Sequence, residues 1–572
     1  MRTWPSPAST RRPGLACLLA GLSVAAAALP SPCLAGFNQL TFISGSTRKV
    51  EQVNGDHDWA DTTLATHSLT LTRADVLGND IGTSFVDGDS LIFLFGDTIG
   101  ASQQYVPTWA DSLNPYKWNA RDPIASSTST SGDSGLVLDF FRNSAGDSTL
   151  IVAPVYPNGS ALAMGIDDVP NAGIALGNKL YLVCKTGAVS IGGVTSNDSD
   201  SAVVVRFHPV LKTFTAGRTL SRLADGGHFL TTSLHELPPQ FASSPTDSEV
   251  LIFGVGRYRR SDVYLSMIPR GDFASGTDAH GVSDTRYFTG LINGQPVWSG
   301  LEPQSEPIVQ DDPYADLGIG EVQQPWPLDD PTIGNLSVAW VPALGLWIMT
   351  YDGGRQSPGY QQTKGIYFTY AQAPWGPWIK PQLVFNATRD GGFGTFMRHW
   401  DTATQTGTGP AGPTIGVQSS NDPDSTNGGV YAPGLIEPFT RIAGDTLKIY
   451  YTMSTWNPYA IVLMRSEFII APGALSVDGP GPRVPGLRAW PDPSRSLTHV
   501  SFALPHAGSA DVGIYDLAGR LIRGLYRGPA AAGTHEVEWD GRSDSGATLH
   551  PGVYFVRVRS GDISLTRRVT RL

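Results

Sequence analysis

A chain of 572 residues with 41% apolar side chains is long enough for more than one domain and for a large core. Its formal charge of −11, with no long basic run, argues against binding nucleic acid or an anionic membrane by bulk electrostatics. Gly (65) and Pro (43) are frequent and charged residues are only 16%, a balance that favours many short strands and turns over helices.

The first element reads as an export signal. Arg2, Arg11 and Arg12 precede an apolar run from Leu15 to Leu29, and small residues lead to a cleavage site after Cys33-Leu34-Ala35. The run is shorter than the roughly 20 residues a membrane span needs, and no other segment could cross a bilayer. Cleavage there would remove Cys17 and Cys33 and leave Cys184, which sits in the alternating run KLYLVCKTG as a small buried filler. Packing alone would then stabilise an exported protein.

After residue 35 a unit recurs: apolar strand, polar turn, apolar strand. It appears as SFVDGDSLIFLF (84–95), GIALGNKLYLV (173–183), SEVLIFGVGRYRRSDVYLSMI (248–268), LSVAWVPALGLWIMTY (336–351) and PFTRIAGDTLKIYYTMS (438–454). No long segment carries a helical period. Five such hairpins predict an all-β, five-bladed β-propeller over 36–470, with insertions between blades. A Pro/Gly-rich linker follows at 471–486. Short alternating strands over 487–572 then predict a small immunoglobulin-like β-sandwich.

Within the first hairpin, a two-residue turn at Asp87-Gly88 would pair Val86 with Asp89 and set Asp80 opposite Phe95. Asp97 then becomes the diagonal neighbour of Asp80 on one face. Two carboxylates at that range suit glycoside hydrolysis, one as acid and the other as base or nucleophile. Each would serve equally well as a turn cap.

Other residues fit a sugar site. Tyr431, Trp456 and Asn457 offer rings and an amide for stacking and hydrogen bonding, or wedges between blades. Arg257, Tyr258 and Arg259 could bind hydroxyls or acidic sugars, or cap a strand end. Residues 287–354 hold no Lys, Arg or His, and their clustered carboxylates would suit calcium. The DPYADLGIGE stretch lacks calcium-loop spacing, so no cofactor is assigned. His57, His67, His228, His235 and His399 lack metal-ligand spacing, and no nucleophile elbow or phosphate loop is present.

The motifs DIGTSFVDGDSLIFLFGDT, GVGRYRRSDVYLSMIP with RYFTGLINGQPVWS, LSVAWVPALGLWIMTY with APWGPW, and LIEPFTR with YYTMSTWNPYAIVLMRSEF occur in order over about 60–470. Together they resemble the bacterial family of domain of unknown function 4185. That resemblance implies a five-bladed propeller. Some members are endo-D-arabinanases of glycoside hydrolase family 183, and many have no assigned activity. Carried over by motif, Asp80 and Asp97 would be the leading catalytic carboxylates. Where relatives often read Gly-Glu-Leu-Ser-Val, this chain has Gly334-Asn335-Leu336-Ser337-Val338, and an amide cannot exchange protons usefully. Asp330 or Glu437 would have to take that place. VGIYDLAGRLIR, VEWDGRSDSGATL and PGVYFVRV resemble the FlgD-like immunoglobulin domain, also seen in C-terminal sorting domains of bacterial secreted proteins. This implies a contact with the cell surface or a secretion machinery. The expectation is a secreted or surface-bound glycoside hydrolase acting on a polysaccharide, with an arabinofuranose-containing glycan as the candidate substrate. The alternative is a non-catalytic carbohydrate-binding or adhesion propeller.

Overall fold

The computed structural model describes residues 37–100, 122–309, 332–471 and 487–571, apart from gaps at 166, 192–193, 243–247, 277–282, 293, 355–363, 402, 405, 411, 413–427, 491–493, 495–496, 505–507, 518, 532 and 562. The segment expected to direct export, the expected linker from 472 onward, and the acidic stretch 310–331 with Asp330 lie outside the described residues. The chain divides into two compact units, with Phe37–Pro472 forming one and Gly473–Leu572 belonging to the other.

The first unit is built from five antiparallel sheets of four to six strands, numbered here by chain order. Sheet 1 runs Gly78–Asp87, Ser90–Ile99, Ile124–Ser127 and Asp139–Phe140. Sheet 2 runs Pro170–Leu176, Lys179–Ile191, Val194–His208 and Thr213–Arg222. Sheet 3 begins Thr231–Glu236, Glu249–Val255 and Val263–Pro269, and sheet 4 begins Leu336–Val341, Leu346–Gly353 and Gly365–Ala371. Sheet 5 contains Val430–Leu435, Thr446–Trp456 and Tyr459–Ala471, and its edge is completed by the N-terminal strands Gln39–Phe42 and Arg48–Gln52. The first strand of each sheet packs against the first strands of the sheets before and after it, and that of sheet 5 against that of sheet 1. These five strands therefore close a ring.

The second strands explain the apolar runs in the sequence. Each sheet is buried on both faces, so a run such as LIFLF need not alternate with polar residues. Leu91, Phe93 and Phe95 enter the core shared with sheet 5, and Ile92 and Leu94 the core shared with sheet 2. A separate apolar cluster fills each of the five junctions between successive sheets. Cys184 is buried in the junction of sheets 1 and 2. Emptying such a site, as in Phe93→Ala, costs about 3–5 kcal/mol.

Two first strands differ from the hairpins expected from sequence. In sheet 3 the segment 248–268 supplies the second and third strands, and the first is Thr231–Glu236. In sheet 5 the segment 438–454 contributes Arg441–Ala443 and Thr446–Trp456, and the ring strand is Val430–Leu435. TTSLHE and VYAPGL carry too many polar, Pro or Gly residues to read as strands. They are held by neighbours. Ser233 Oγ accepts from Val338 N–H (3.0 Å), and Ser337 Oγ from Leu435 N–H (3.0 Å).

The second unit contains a three-stranded and a four-stranded antiparallel sheet. A single core joins them, including Val500, Phe502, Val512, Ile514, Trp539, Val556 and Val558.

Candidate active site

In every sheet the start of the first strand and the end of the second lie at the same end of the ring. Asp80 starts the first strand of sheet 1 and Asp97 stands near the end of the second. The hairpin turn is Gly88-Asp89, one residue later than expected, and it pairs Asp87 with Ser90. A bulge at Gly82 then shifts the register, so Asp80 lies opposite Gly96 rather than Phe95. Bulges bend a strand and re-aim side chains. Here Ile81 and Gly82 both take positive φ (68° and 67°). A Cβ on Gly96 would lie 2.7 Å from Asp80 Oδ1, so glycine leaves the space that this carboxylate fills.

Both carboxylates are nearly enclosed, Asp80 at 8% exposure and Asp97 at 6%. Tyr431 Oη donates to Asp80 Oδ2 (3.2 Å), and Tyr459 Oη to the Asp97 carbonyl (3.1 Å). Asp97 Oδ2 accepts the Asp167 N–H (3.3 Å). Behind Asp97, fully buried Asp122 accepts the Asp97 N–H at Oδ1 (3.0 Å). One oxygen on each of Asp80, Asp97 and Asp122 is buried without a hydrogen-bond partner among the described residues. Such orphaned acceptors are costly if ionised and call for a proton or a ligand.

The electrostatics follow. Burial pushes the Asp80 carboxyl up to about 6, against the nearby Lys185 charge and the Tyr431 hydrogen bond. Asp97 is pushed well above the usual carboxylate range by burial, and then by the charges of Asp80 and Asp167. Asp122 is raised likewise by burial and by Asp97. Two crowded carboxylates cannot both ionise cheaply, so the pair holds a proton at higher pH than an isolated carboxyl.

A second group adjoins the first. Asp352, at the end of the second strand of sheet 4, is fully buried. Its Oδ1 accepts from Asn335 N–H (2.6 Å) and Ala432 N–H (3.3 Å), and its Oδ2 from Arg259 Nε (3.3 Å) and Lys364 Nζ (3.4 Å). Ala432 follows Tyr431, so one residue step links this group to Asp80. Of the eight non-glycine residues with positive φ among the described residues, Ile81, Asp97, Asp167, Arg259 and Ala432 belong to these two groups. Each costs on the order of 1–3 kcal/mol, and such strain concentrates at functional sites.

The remaining residues expected from sequence separate. Tyr431 joins Asp80, and Trp456 packs edge-on to Tyr431 and Tyr459 (6.2 Å each). Asn457 is buried in the turn to the next strand, where its carbonyl accepts from Arg398 N–H (2.9 Å). Arg257 is exposed, and Tyr258 stacks under the Arg259 guanidinium (4.8 Å). Glu437 follows the end of a first strand, at the opposite end of the ring. It lies 3.5 Å from His235 Nε2 and lines a depression with Val86 and Trp340. It is therefore not placed to stand in for the missing glutamate. Asn335 sits at the site end, its backbone tied to Asp352 in both directions.

Asp122, Asp167 and Lys185 carry no signal of their own in the sequence, Tyr459 stands out there only as a ring of STWNPY beside Trp456, and Asp352 only as one of the clustered carboxylates of 287–354. Position in the repeat could have found two of them. GIDDVP precedes the first strand of sheet 2 much as GND opens that of sheet 1, and MTYDG ends the second strand of sheet 4 as FLFGD ends that of sheet 1. Among the described residues no group of His, Cys, Asp or Glu has the geometry of a metal site.

Residues 66–465 match the family model described as Domain of unknown function (DUF4185), and residues 495–562 match the FlgD Ig-like domain. No curated protein matches. Among solved structures, an exo-β-1,3-galactanase from Phanerochaete chrysosporium is 8% identical, with 86% of this chain and 97% of that chain covered and a TM-score of 0.33. An endo-1,5-α-L-arabinanase from Thermotoga petrophila is 9% identical, over 86% and 92%, with a TM-score of 0.31. A glycoside hydrolase family 43 protein, YxiA, from Bacillus licheniformis is 8% identical, over 87% and 95%, with a TM-score of 0.32.

Proposed function

The chain belongs to the DUF4185 family, and from that premise we propose that it is a secreted glycoside hydrolase whose acid pair is Asp80 and Asp97. We read the five sheets as the blades of a five-bladed propeller, and the C-terminal unit as an immunoglobulin-type module that contacts the cell surface or a secretion machinery. The domains of this reading are an export segment at 1–35, the propeller at 36–470, a linker at 471–486 and the module at 487–572. The substrate class is a polysaccharide, with an arabinofuranose-containing glycan first among those to test.

The observation that carries the reading is a pair of adjacent, nearly enclosed carboxylates at one end of the ring, each keeping one oxygen unpartnered. Such a pair can hold one proton and one negative charge, the combination glycoside cleavage requires. The roles divide by environment. Asp80 has a hydroxyl donor and Lys185 nearby, so it ionises first and acts as nucleophile or base. Asp97 is flanked by Asp80, Asp122 and Asp167, keeps its proton longer and acts as the acid. Asp122 positions Asp97 through its backbone N–H.

The test is chain cleavage of arabinans, arabinogalactans and other glycans by the full chain, with Asp80→Asn and Asp97→Asn as controls. Cleavage lost in both supports the hydrolase. Asn335 favours the second reading, a propeller that binds glycan without cutting it. That reading predicts binding without new reducing ends, retained in both variants.

A further inference from the structure

Arg259 is built in a way that its structural contacts do not explain. It stands in the turn GRYRRS, between the second and third strands of sheet 3 at the site end of the ring, with φ of 55°. Its N–H donates to the Ile333 carbonyl (3.1 Å), which holds the strained backbone in place. Its guanidinium lies over the Tyr258 ring (4.8 Å) and meets Asp352 only through Nε (3.3 Å). The two terminal nitrogens have no hydrogen bond or ion pair among the described residues, and the side chain is 34% exposed.

Asp352 does not require this partner. It already has Lys364 at 3.4 Å and two backbone N–H donors. A left-handed arginine costs about 1 kcal/mol or more, and neutralising Asp352 would not justify that cost. What the arrangement achieves is orientation. One edge of the guanidinium is fixed by a buried carboxylate and its face by a ring, so the remaining edge presents two parallel N–H donors. That edge matches a planar carboxylate in bidentate geometry. The same turn carries Arg257 and Arg260, both exposed, while Arg259 meets Asp352. Three arginines thus fall within four positions in a chain of net charge −11. The turn is near the acid pair, because Asp352 also holds Ala432, whose neighbour Tyr431 bonds Asp80.

We propose that Arg259 receives the carboxylate of an acidic sugar, so that the glycan bound at this end of the ring carries uronate residues. The inference rests on the carbohydrate reading above and does not require cleavage. The experiment is calorimetric titration of the full-length Asp80→Asn chain with galacturonate and glucuronate oligosaccharides, their carboxyl-reduced neutral counterparts, and sulfated oligosaccharides of equal length. The expected result is roughly ten- to hundredfold tighter binding of one uronate series than of its reduced form. Arg259→Gln should remove that preference, Arg259→Lys should restore part of it, and Arg257→Gln should leave most of it. Thermal melts establish that each variant is folded. Equal affinity for charged and reduced chains, no binding of either, a stronger preference for sulfate, or equal loss in Arg257→Gln would each overturn the proposal. The two readings fail separately. Glycan cleaved by the otherwise wild-type chain, with no difference in affinity between uronate and carboxyl-reduced chains, ends this inference and keeps the hydrolase. Uronate-selective binding with no glycan cleaved does the reverse.

Discussion

Asp97 in sheet 1 and Asp352 in sheet 4 stand at corresponding points, each near the end of the second strand of its sheet, and their surroundings are opposite. Asp352 collects two backbone N–H groups, a lysine and an arginine, so both its oxygens are satisfied. Asp97 collects one backbone N–H and faces other carboxylates, with one oxygen left over. One position in a repeated fold thus holds a fully partnered carboxylate in one sheet and a crowded, partly unpartnered one in another. What decides is whether donors or acceptors converge on it, and an aspartate at a strand end does not by itself declare which.

Four experiments would break or sharpen that contrast. The largest effect expected is on turnover. Asp97→Asn should lower glycan cleavage by at least ~100-fold and up to ~10,000-fold, the usual worth of a general acid, while Tm at pH 8 stays level or rises because a crowded charge is gone. A melting point lowered by Asp97→Asn would make Asp97 a strut like its counterpart. Next, Asp352→Ala leaves Lys364 and Arg259 facing each other without their shared carboxylate, and should destabilise the unit by about 3–5 kcal/mol in denaturant titrations. A loss below about 1 kcal/mol would refute its assignment as a strut.

Third comes the pH dependence of folding. Asp80 is held up to about 6 in the fold, against roughly 3.9 in an unfolded chain. Between those values the folded chain keeps a proton that the unfolded chain has released. Stability is therefore lost as pH rises through this window, by on the order of 3 kcal/mol for Asp80. Melts from pH 4 to 8 should show the decline, and Asp80→Asn should make it shallower, leaving the share of Asp97 and Asp122. A curve that rises over this range would mean the pair is ionised throughout. The smallest effect expected is that of Tyr431→Phe, which removes one hydrogen bond to Asp80 worth about 1 kcal/mol. That bond favours the ionised carboxylate, so its loss should move the acidic limb of the cleavage profile to higher pH. An unmoved limb would detach Tyr431 from the titration.

The second strands were legible in the sequence because burial on both faces writes a plain apolar run, as in LIFLF and LWIMTY. The first strands of sheets 3 and 5 were not, since hydroxyl–backbone bonds with sheet 4, accepted by Ser233 Oγ from Val338 N–H and by Ser337 Oγ from Leu435 N–H, tie them in place rather than their own propensity. The nearness of Asp80 and Asp97 could be read, but their register could not. The turn lies one residue further on, and Gly82 is bulged out because its carbonyl accepts from Thr452 in sheet 5 (2.9 Å). Asp122 was invisible for a similar reason: it reaches Asp97 across 25 positions of chain, and no local pattern encodes that contact.

The N-terminal strands have a consequence for the order in which the molecule can form. Gln39 pairs with Ala471 and Gln52 with Val462, so the earliest-made strands find their partners only after more than 400 further residues have been synthesised. Until then sheet 5 has a bare edge and a nascent chain has no closed circle to lock. The clasp of the ring is thus fastened by Tyr459–Ala471, the last strand of its unit to be made.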